Sequence, residues 1–178
     1  ASIEAICKPK EYLKRAEEEI AFMEKNDIRP LFFLDSDYPR RLLQCDDGPM
    51  MLYYKGKANL NANRIVAIVG TRNITEYGKE NCIQLVEDLK DDNVLIVSGL
   101  AYGVDTAAHK TSVKNGIPTV AVMGSGMQQI YPAPNKNLAT DMIEQGGGIL
   151  TECISGAQPD RENFPRRNRI IAGMADAD

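Results

Sequence analysis

Ile65-Val66-Ala67-Ile68-Val69-Gly70-Thr71-Arg72 (65–72) is the stretch on which the fold turns. Its first five residues are nearly all β-branched, and they run without interruption into a glycine turn that carries an arginine. A short, continuously apolar run of this kind reads as a strand buried on both faces. Downstream the pattern alternates. Thr75 to Leu89 places Cys82, Ile83, Leu85, Val86 and Leu89 on a helical stripe, and Val94 to Val97 is the next strand. Val104 to Lys114 offers a second stripe at Val104, Ala107, Ala108 and Thr111, followed by a strand at Thr119 to Met123. Leu138, Ala139, Met142 and Ile143 mark a further helix before Ile149 to Glu152. Apolar strands separated by helices predict an α/β fold: a Rossmann-like, doubly wound, mainly parallel sheet with helices on both faces. In such sheets ligands bind at the carboxyl ends of the strands.

Working back toward the amino terminus, Lys8 to Lys25 repeats Leu13, Ala16, Ile20 and Met23 at helical spacing, which predicts an amphipathic surface helix. Short strands are expected at Leu31 to Leu34 and around Met50 to Tyr54, and the Gly-, Asn- and Lys-rich stretch 55–63 reads as a boundary. Residues 1–63 are therefore expected to form a small cap on a core spanning 64–178. The sequence stops at Asp178 before any further strand, so the sheet is expected to be incomplete and the chain to be a piece of a longer one.

The 178 residues carry a net charge of −4, so affinity for a polyanion has to come from local placement of charge. No apolar stretch approaches the roughly 20 residues that cross a bilayer, and no cleavable signal opens the chain. Cys7, Cys45, Cys82 and Cys153 form no C-x-x-C pair, which argues against a zinc site and fits a reducing cytoplasm.

Three glycine loops follow strands: Gly70-Thr71-Arg72, Ser98 to Gly103, and Gly124-Ser125-Gly126. Thr75 is placed to cap the first crossover helix, and Arg72 adds a bidentate phosphate donor to its turn. Ser98 stands as a hydroxyl at a strand tip, with Gly99 and Gly103 allowing close backbone approach. Asp105 and His109 share a helix face, where an orienting role outweighs acid–base chemistry because His109 has no second histidine to work with. Tyr131 is either packed or facing the ligand. Neither G-x-G-x-x-G nor G-x-x-x-x-G-K-[ST] occurs, which disfavours a dinucleotide site and a P-loop. The segment Arg161 to Arg169 concentrates four arginines and Phe164 against one glutamate. Arginines neutralise phosphates and an aromatic ring stacks on bases. Pro165 is expected to fix a turn into a helix starting near Arg166, and at least two of the arginines are expected to pair with Asp160, Glu162 or Glu152.

Four of these motifs in order, Ile-Val-Gly-Thr-Arg (68–72), Ser-Gly-Leu-Ala-Tyr-Gly-Val-Asp (98–105) with His109, Gly-Ser-Gly (124–126) with Tyr131-Pro132, and Phe-Pro-Arg-Arg-Asn-Arg (164–169), resemble the DNA-processing protein A family, also called DprA or Smf. The resemblance implies a cytoplasmic bacterial protein, without cofactor or catalytic turnover, that binds single-stranded DNA and helps load the RecA recombinase during natural transformation and recombination. It further implies a homodimer in the complete protein. It assigns the DNA pocket to Arg72, Arg161 and Phe164, with Arg166, Arg167 and Arg169 nearby and Gly70, Thr71, Ser98, Gly99 and Gly126 lining the backbone side. Gly103, Asp105, His109, Gly124, Tyr131 and Asn168 take structural or orienting roles. The family's usual N-terminal helical and C-terminal winged-helix modules are not expected within these 178 residues.

Two rival readings carry different chemistry. Gly146-Gly147-Gly148 with Thr151-Glu152 loosely resembles the signature of lysine-decarboxylase-like nucleotide phosphoribohydrolases, and such an enzyme would depend on Glu152. The acidic stretch Glu87, Asp88, Asp91 and Asp92 would suit a pure interaction scaffold, although charge runs are usually solvated faces.

Overall fold

From residue 65 onward the alternation of strand and helix closes into a parallel sheet, and the preceding segment adds two more strands to the same sheet. The computed structural model describes residues 9–160 and 162–176. In chain order the elements are α1 (Pro9–Asn26), β1 (Arg29–Phe32), a 3-10 turn (Arg40–Gln44), β2 (Met51–Gly56), β3 (Ile65–Ala67), α2 (Glu76–Asp88), β4 (Leu95–Ser98) and α3 (Val104–Lys114). Then come β5 (Thr119–Met123), a 3-10 turn (Ala133–Asn135), α4 (Lys136–Glu144), β6 (Gly148–Thr151) and α5 (Asn163–Met174). Six strands lie in the order β1-β2-β6-β5-β4-β3. β3, β4, β5 and β6 pair in parallel, while β2 runs antiparallel to β6 and β1 antiparallel to β2.

The uninterrupted apolar strands are explained by helices on both faces. Leu95, Val97, Val120, Val122 and Leu150 point toward Ile170, Ile171 and Met174 of α5. Their neighbours Ile96, Ala121, Met123 and Ile149 point the other way, toward the crossover helices α2, α3 and α4. Each such Val, Leu, Ile or Met side chain contributes about 1.5–3 kcal/mol when fully buried. Tyr38, Leu42, Leu52, Tyr54 and Leu60 join the α5-side cluster, so the segment expected as a cap shares this core. Asp176, just past α5, donates from its N–H to Ile65 O and accepts from Ile65 N–H through Oδ2, each at 2.8 Å.

Local signals worked where they had a hydrogen bond to make. Thr75 Oγ1 accepts from Gly78 N–H at 3.1 Å, capping α2. Leu85, placed on the α2 stripe with Cys82 and Val86, is instead half exposed. Helix α1 departs further from expectation: Leu13 is 63% exposed and Ile20 51%, whereas Glu19 is 8% exposed. At the turn around Ser155 the helix docks through polar contacts. Glu19 accepts from the Ser155 N–H and, at 2.6 Å, from its hydroxyl, and Arg15 donates to Ser155 O at 2.6 Å. Burial pushes the Glu19 carboxyl up, but these hydrogen bonds and the Arg15 charge together hold it below the usual range. Finally, α5 begins at Asn163, earlier than Pro165 suggested. In the first turn a proline sacrifices no intrahelical hydrogen bond, so it starts the helix from within.

Candidate functional site

At the carboxyl ends of β3 and β4 a cleft of about 630 Å³ opens between the Gly70–Arg72 turn and the first turns of α5. Its floor is a buried ion pair. Arg167 and Asp105 are 4% and 3% exposed, with Arg167 Nη2 3.6 Å from Asp105 Oδ2. Arg167 Nη1 also donates to Gly99 O at 2.5 Å and to Val122 O, and Nε donates to Asn168 Oδ1 at 3.0 Å. Asp105 accepts from the Ala101 N–H at 3.3 Å and lies within reach of the Gly70 N–H. One guanidinium thus ties α5 to the tips of β4 and β5, and one carboxylate ties the tips of β3 and β4 to α3. Burial pushes the Asp105 carboxyl up, opposed by Arg167; burial also lowers the Arg167 pKa, opposed by Asp105.

The loop between β4 and α3 is shaped for this. Leu100 is fully buried at φ +60, a left-handed conformation that costs about 1–3 kcal/mol in a residue with a side chain. Its carbonyl is held by Asn135 Nδ2 at 2.9 Å. Gly103 sits at φ +79, and a Cβ there would collide with Thr71 O, so the first and second glycine loops meet at this residue.

The mouth of the cleft holds the available cation. Arg72 is exposed and makes no hydrogen bond or ion pair among the described residues. Its Cζ lies 5.1 Å from the centroid of Phe164, a cation–π contact that keeps the charge at the rim. Tyr131 packs at 5.4 Å from the Phe164 ring, tilted 40°, and is 41% exposed. The three side chains form a cationic and aromatic lip contributed by two loops and the first turn of α5.

Several residues expected at the ligand are engaged inside the fold. Arg167, read from sequence as a phosphate donor, is the buried anchor just described, because the strand-tip carbonyls, Asn168 and Asp105 engage its guanidinium. Ser98 is fully buried and its hydroxyl donates to Ile68 O at 2.5 Å, so it is no free hydroxyl. Gly99 is roofed by Arg167: a Cβ there would collide with the guanidinium. Gly126 is buried and donates its N–H to Ala157 O at 2.9 Å, while Gly124 packs against Asn163 and Phe164. Arg169 pairs with Glu152 at 2.5 Å and with Asp47 at 3.7 Å, and Arg166, still 65% exposed, stands 3.7 Å from the same Glu152. Gly70 and Thr71 remain exposed at the rim, and Asn168 lines the cleft. Arg161 lies outside the described residues. The role of Asp105 as partner to Arg167 was missed in the sequence; a carboxylate opening a helix directly after a glycine loop was the only signal.

His109 is fully buried one turn beyond Asp105. Thr119 Oγ1 donates to Ile96 O at 3.0 Å, so it accepts from His109 Nδ1–H at 2.7 Å, which fixes the neutral tautomer. Burial first and the nearby Arg167 charge second pull its pKa from 6.5 down to about 3. The unfolded chain therefore binds a proton that the folded one refuses between these values, and stability falls as pH drops through 6.5, by at most about 1.4 kcal/mol per unit. Urea midpoints between about pH 7.5 and 5 should fall more steeply for the wild type than for His109→Gln. The raised Asp105 pKa acts with the opposite sign in both proteins and cancels in the comparison. Equal slopes would contradict the buried neutral imidazole.

The residues of the rival hydrolase motif stand at opposite ends of β6. Gly146-Gly147-Gly148 leads into β6 and Glu152 lies just beyond its far end, so the four-residue strand separates them by about 13 Å. Glu152 is moreover neutralised by Arg166 and Arg169. Among the described residues no cluster of histidine, cysteine and carboxylate side chains is placed to hold a metal, and no helix is long and apolar enough to cross a membrane.

Fold and site together define a doubly wound α/β protein with an arginine-bearing cleft at its strand tips and no nucleotide-binding signature. The chain belongs to the family described as DNA recombination-mediator protein A, whose sequence profile matches residues 29–178. It is 42% identical over 141 residues to the DNA processing protein DprA of Streptococcus pneumoniae, covering 79% of this chain and 49% of that protein. It is 38% identical over 139 residues to the Smf protein of Escherichia coli, covering 78% and 37%. Among solved structures, the S. pneumoniae DprA superposes with a TM-score of 0.76 at 36% identity, over 87% of this chain and 55% of that one. DprA of Helicobacter pylori, solved in a study of its single-stranded DNA binding mode, superposes with a TM-score of 0.73 at 30% identity, over 85% and 70%. The chain spans about half the length or less of these two curated relatives.

Proposed function

We propose that this chain is the single-stranded-DNA-binding portion of a cytoplasmic recombination mediator, acting by binding and not by turnover. The observation that carries the reading is Arg72: a guanidinium at the cleft mouth with no ion pair among the described residues, set beside Phe164 and Tyr131. Phosphates would meet Arg72 and the exposed Gly70–Thr71 rim, and an unstacked base would meet the aromatic lip. Backbone-directed charge with sequence-tolerant stacking gives little base preference, so homopolymer oligonucleotides are expected to bind alike. Likeness to DprA of H. pylori supports the choice of single strands. In the complete protein, family membership supports homodimerisation and the loading of RecA onto the bound strand during natural transformation.

The test is binding of labelled oligonucleotides across a salt series. Affinity should fall linearly on a log–log plot, and Arg72→Ala should flatten the slope by about 0.7 for each single-strand phosphate that the arginine neutralises. Arg72 is exposed, so the variant keeps its fold. Undetectable or salt-insensitive binding by the folded wild type would remove this reading. A shortened lag in RecA filament assembly on oligonucleotide, measured with the complete protein, tests the loading step.

A further inference from the structure

At the opposite end of the sheet, near the amino ends of the parallel strands, a second cleft of about 420 Å³ lies between the Arg40–Gln44 turn and the loop after β2. Its walls are fixed by one side chain. Asn61 Nδ2 donates to Tyr38 O at 3.0 Å, its Oδ1 accepts from Arg40 N–H at 2.8 Å, and its own N–H donates to Asn59 Oδ1 at 2.9 Å. Beneath, Tyr38 and Leu60 are 1% and 4% exposed, and Tyr54 donates from its hydroxyl to Ala58 O at 3.2 Å. The space is therefore built on the core and is not a fold in a loose surface loop.

What lines it is a surplus of donors. Arg29 is held over the Tyr54 ring at 5.5 Å and donates to Asp37 Oδ2 at 3.2 Å. Ser36 donates to Asp37 Oδ1 at 3.3 Å. Asp37 is the one carboxylate in the lining, and these two contacts engage it. Arg40 is exposed and, among the described residues, its guanidinium has neither hydrogen bond nor ion pair; the Asn59 amide nitrogen is likewise unengaged. Two guanidinium groups against one occupied carboxylate leave local positive charge on a chain whose net charge is −4. A tetrahedral oxyanion, which accepts from several directions at once, satisfies a guanidinium fork and an amide N–H together.

We propose that this cleft is a second phosphate-binding site, independent of the strand-tip cleft, with Arg40 as its main ligand and Arg29 and Asn59 as supports. The phosphate can belong to a DNA strand or to a free nucleotide. Amide NMR spectra of this chain, titrated separately with pyrophosphate, dTMP and an oligo-dT, distinguish the two. Pyrophosphate should shift the Arg40 and 59–61 amides in the wild type and equally in Arg72→Ala, and Arg40→Ala should weaken that binding about tenfold or more. Arg40→Lys should recover part of it, since charge returns without the fork. Shifts at these amides with oligo-dT assign the site to a strand; shifts with pyrophosphate and dTMP but not with oligo-dT assign it to free nucleotide. If none of the three probes moves these amides at millimolar concentration, or if Arg40→Ala binds pyrophosphate as the wild type does, the site does not exist, whatever becomes of the strand-tip reading.

Discussion

Arg167→Ala should lower the free energy of unfolding by about 3–5 kcal/mol, the largest effect of any single substitution in the site. The cost comes from what stays behind. Removing the guanidinium leaves the buried Asp105 carboxyl without its counter-charge, and leaves Gly99 O and Val122 O without their donor. Urea unfolding at neutral pH measures this directly, since a change in midpoint at constant slope is a change in stability. A double replacement, Asp105→Asn with Arg167→Met, should recover much of the loss because neither charge is then stranded, giving a favourable interaction energy in the double-mutant cycle. A near-zero cost for Arg167→Ala alone would mean that Arg167 is solvated and the clamp is not closed. The same residue also positions α5, so Phe164 and the lip it forms with Arg72 depend on a contact buried in the floor of the cleft.

Phe164→Ala should weaken oligonucleotide binding by about 1–3 kcal/mol, roughly tenfold to a hundredfold, while leaving the salt slope unchanged. The ring supplies stacking area and holds Arg72 in place by its π-face, but it neutralises no phosphate. Affinity and salt dependence therefore separate: Arg72→Ala moves both, Phe164→Ala only the first. Phe164→Tyr should retain most of the affinity, because the π-face is kept. If Phe164→Ala binds as well as the wild type, the base does not stack at this lip, and Tyr131, 41% exposed beside it, becomes the next ring to remove.

The sequence by itself determined the alternation that makes a parallel sheet. Runs such as Ile65 to Val69 and Thr119 to Met123 are apolar at every step because both faces are covered, and that pattern survives any detail of packing. Thr75 as helix cap and Gly103 as the residue tolerating a left-handed turn were legible for the same reason: each obeys a rule confined to a few neighbouring residues. The stripe on α1 was not, since Leu13 and Ile20 satisfy helical spacing yet face outward, and Glu19 finds its partner in Ser155, far along the chain. Only the tertiary structure decided which of Arg72, Arg166, Arg167 and Arg169 lacks an ion pair among the described residues. The four are equivalent as a charge count. A guanidinium is neutralised by whichever carboxylate the fold brings near it, and here Asp105 and Glu152 claim three of them and leave Arg72 at the rim.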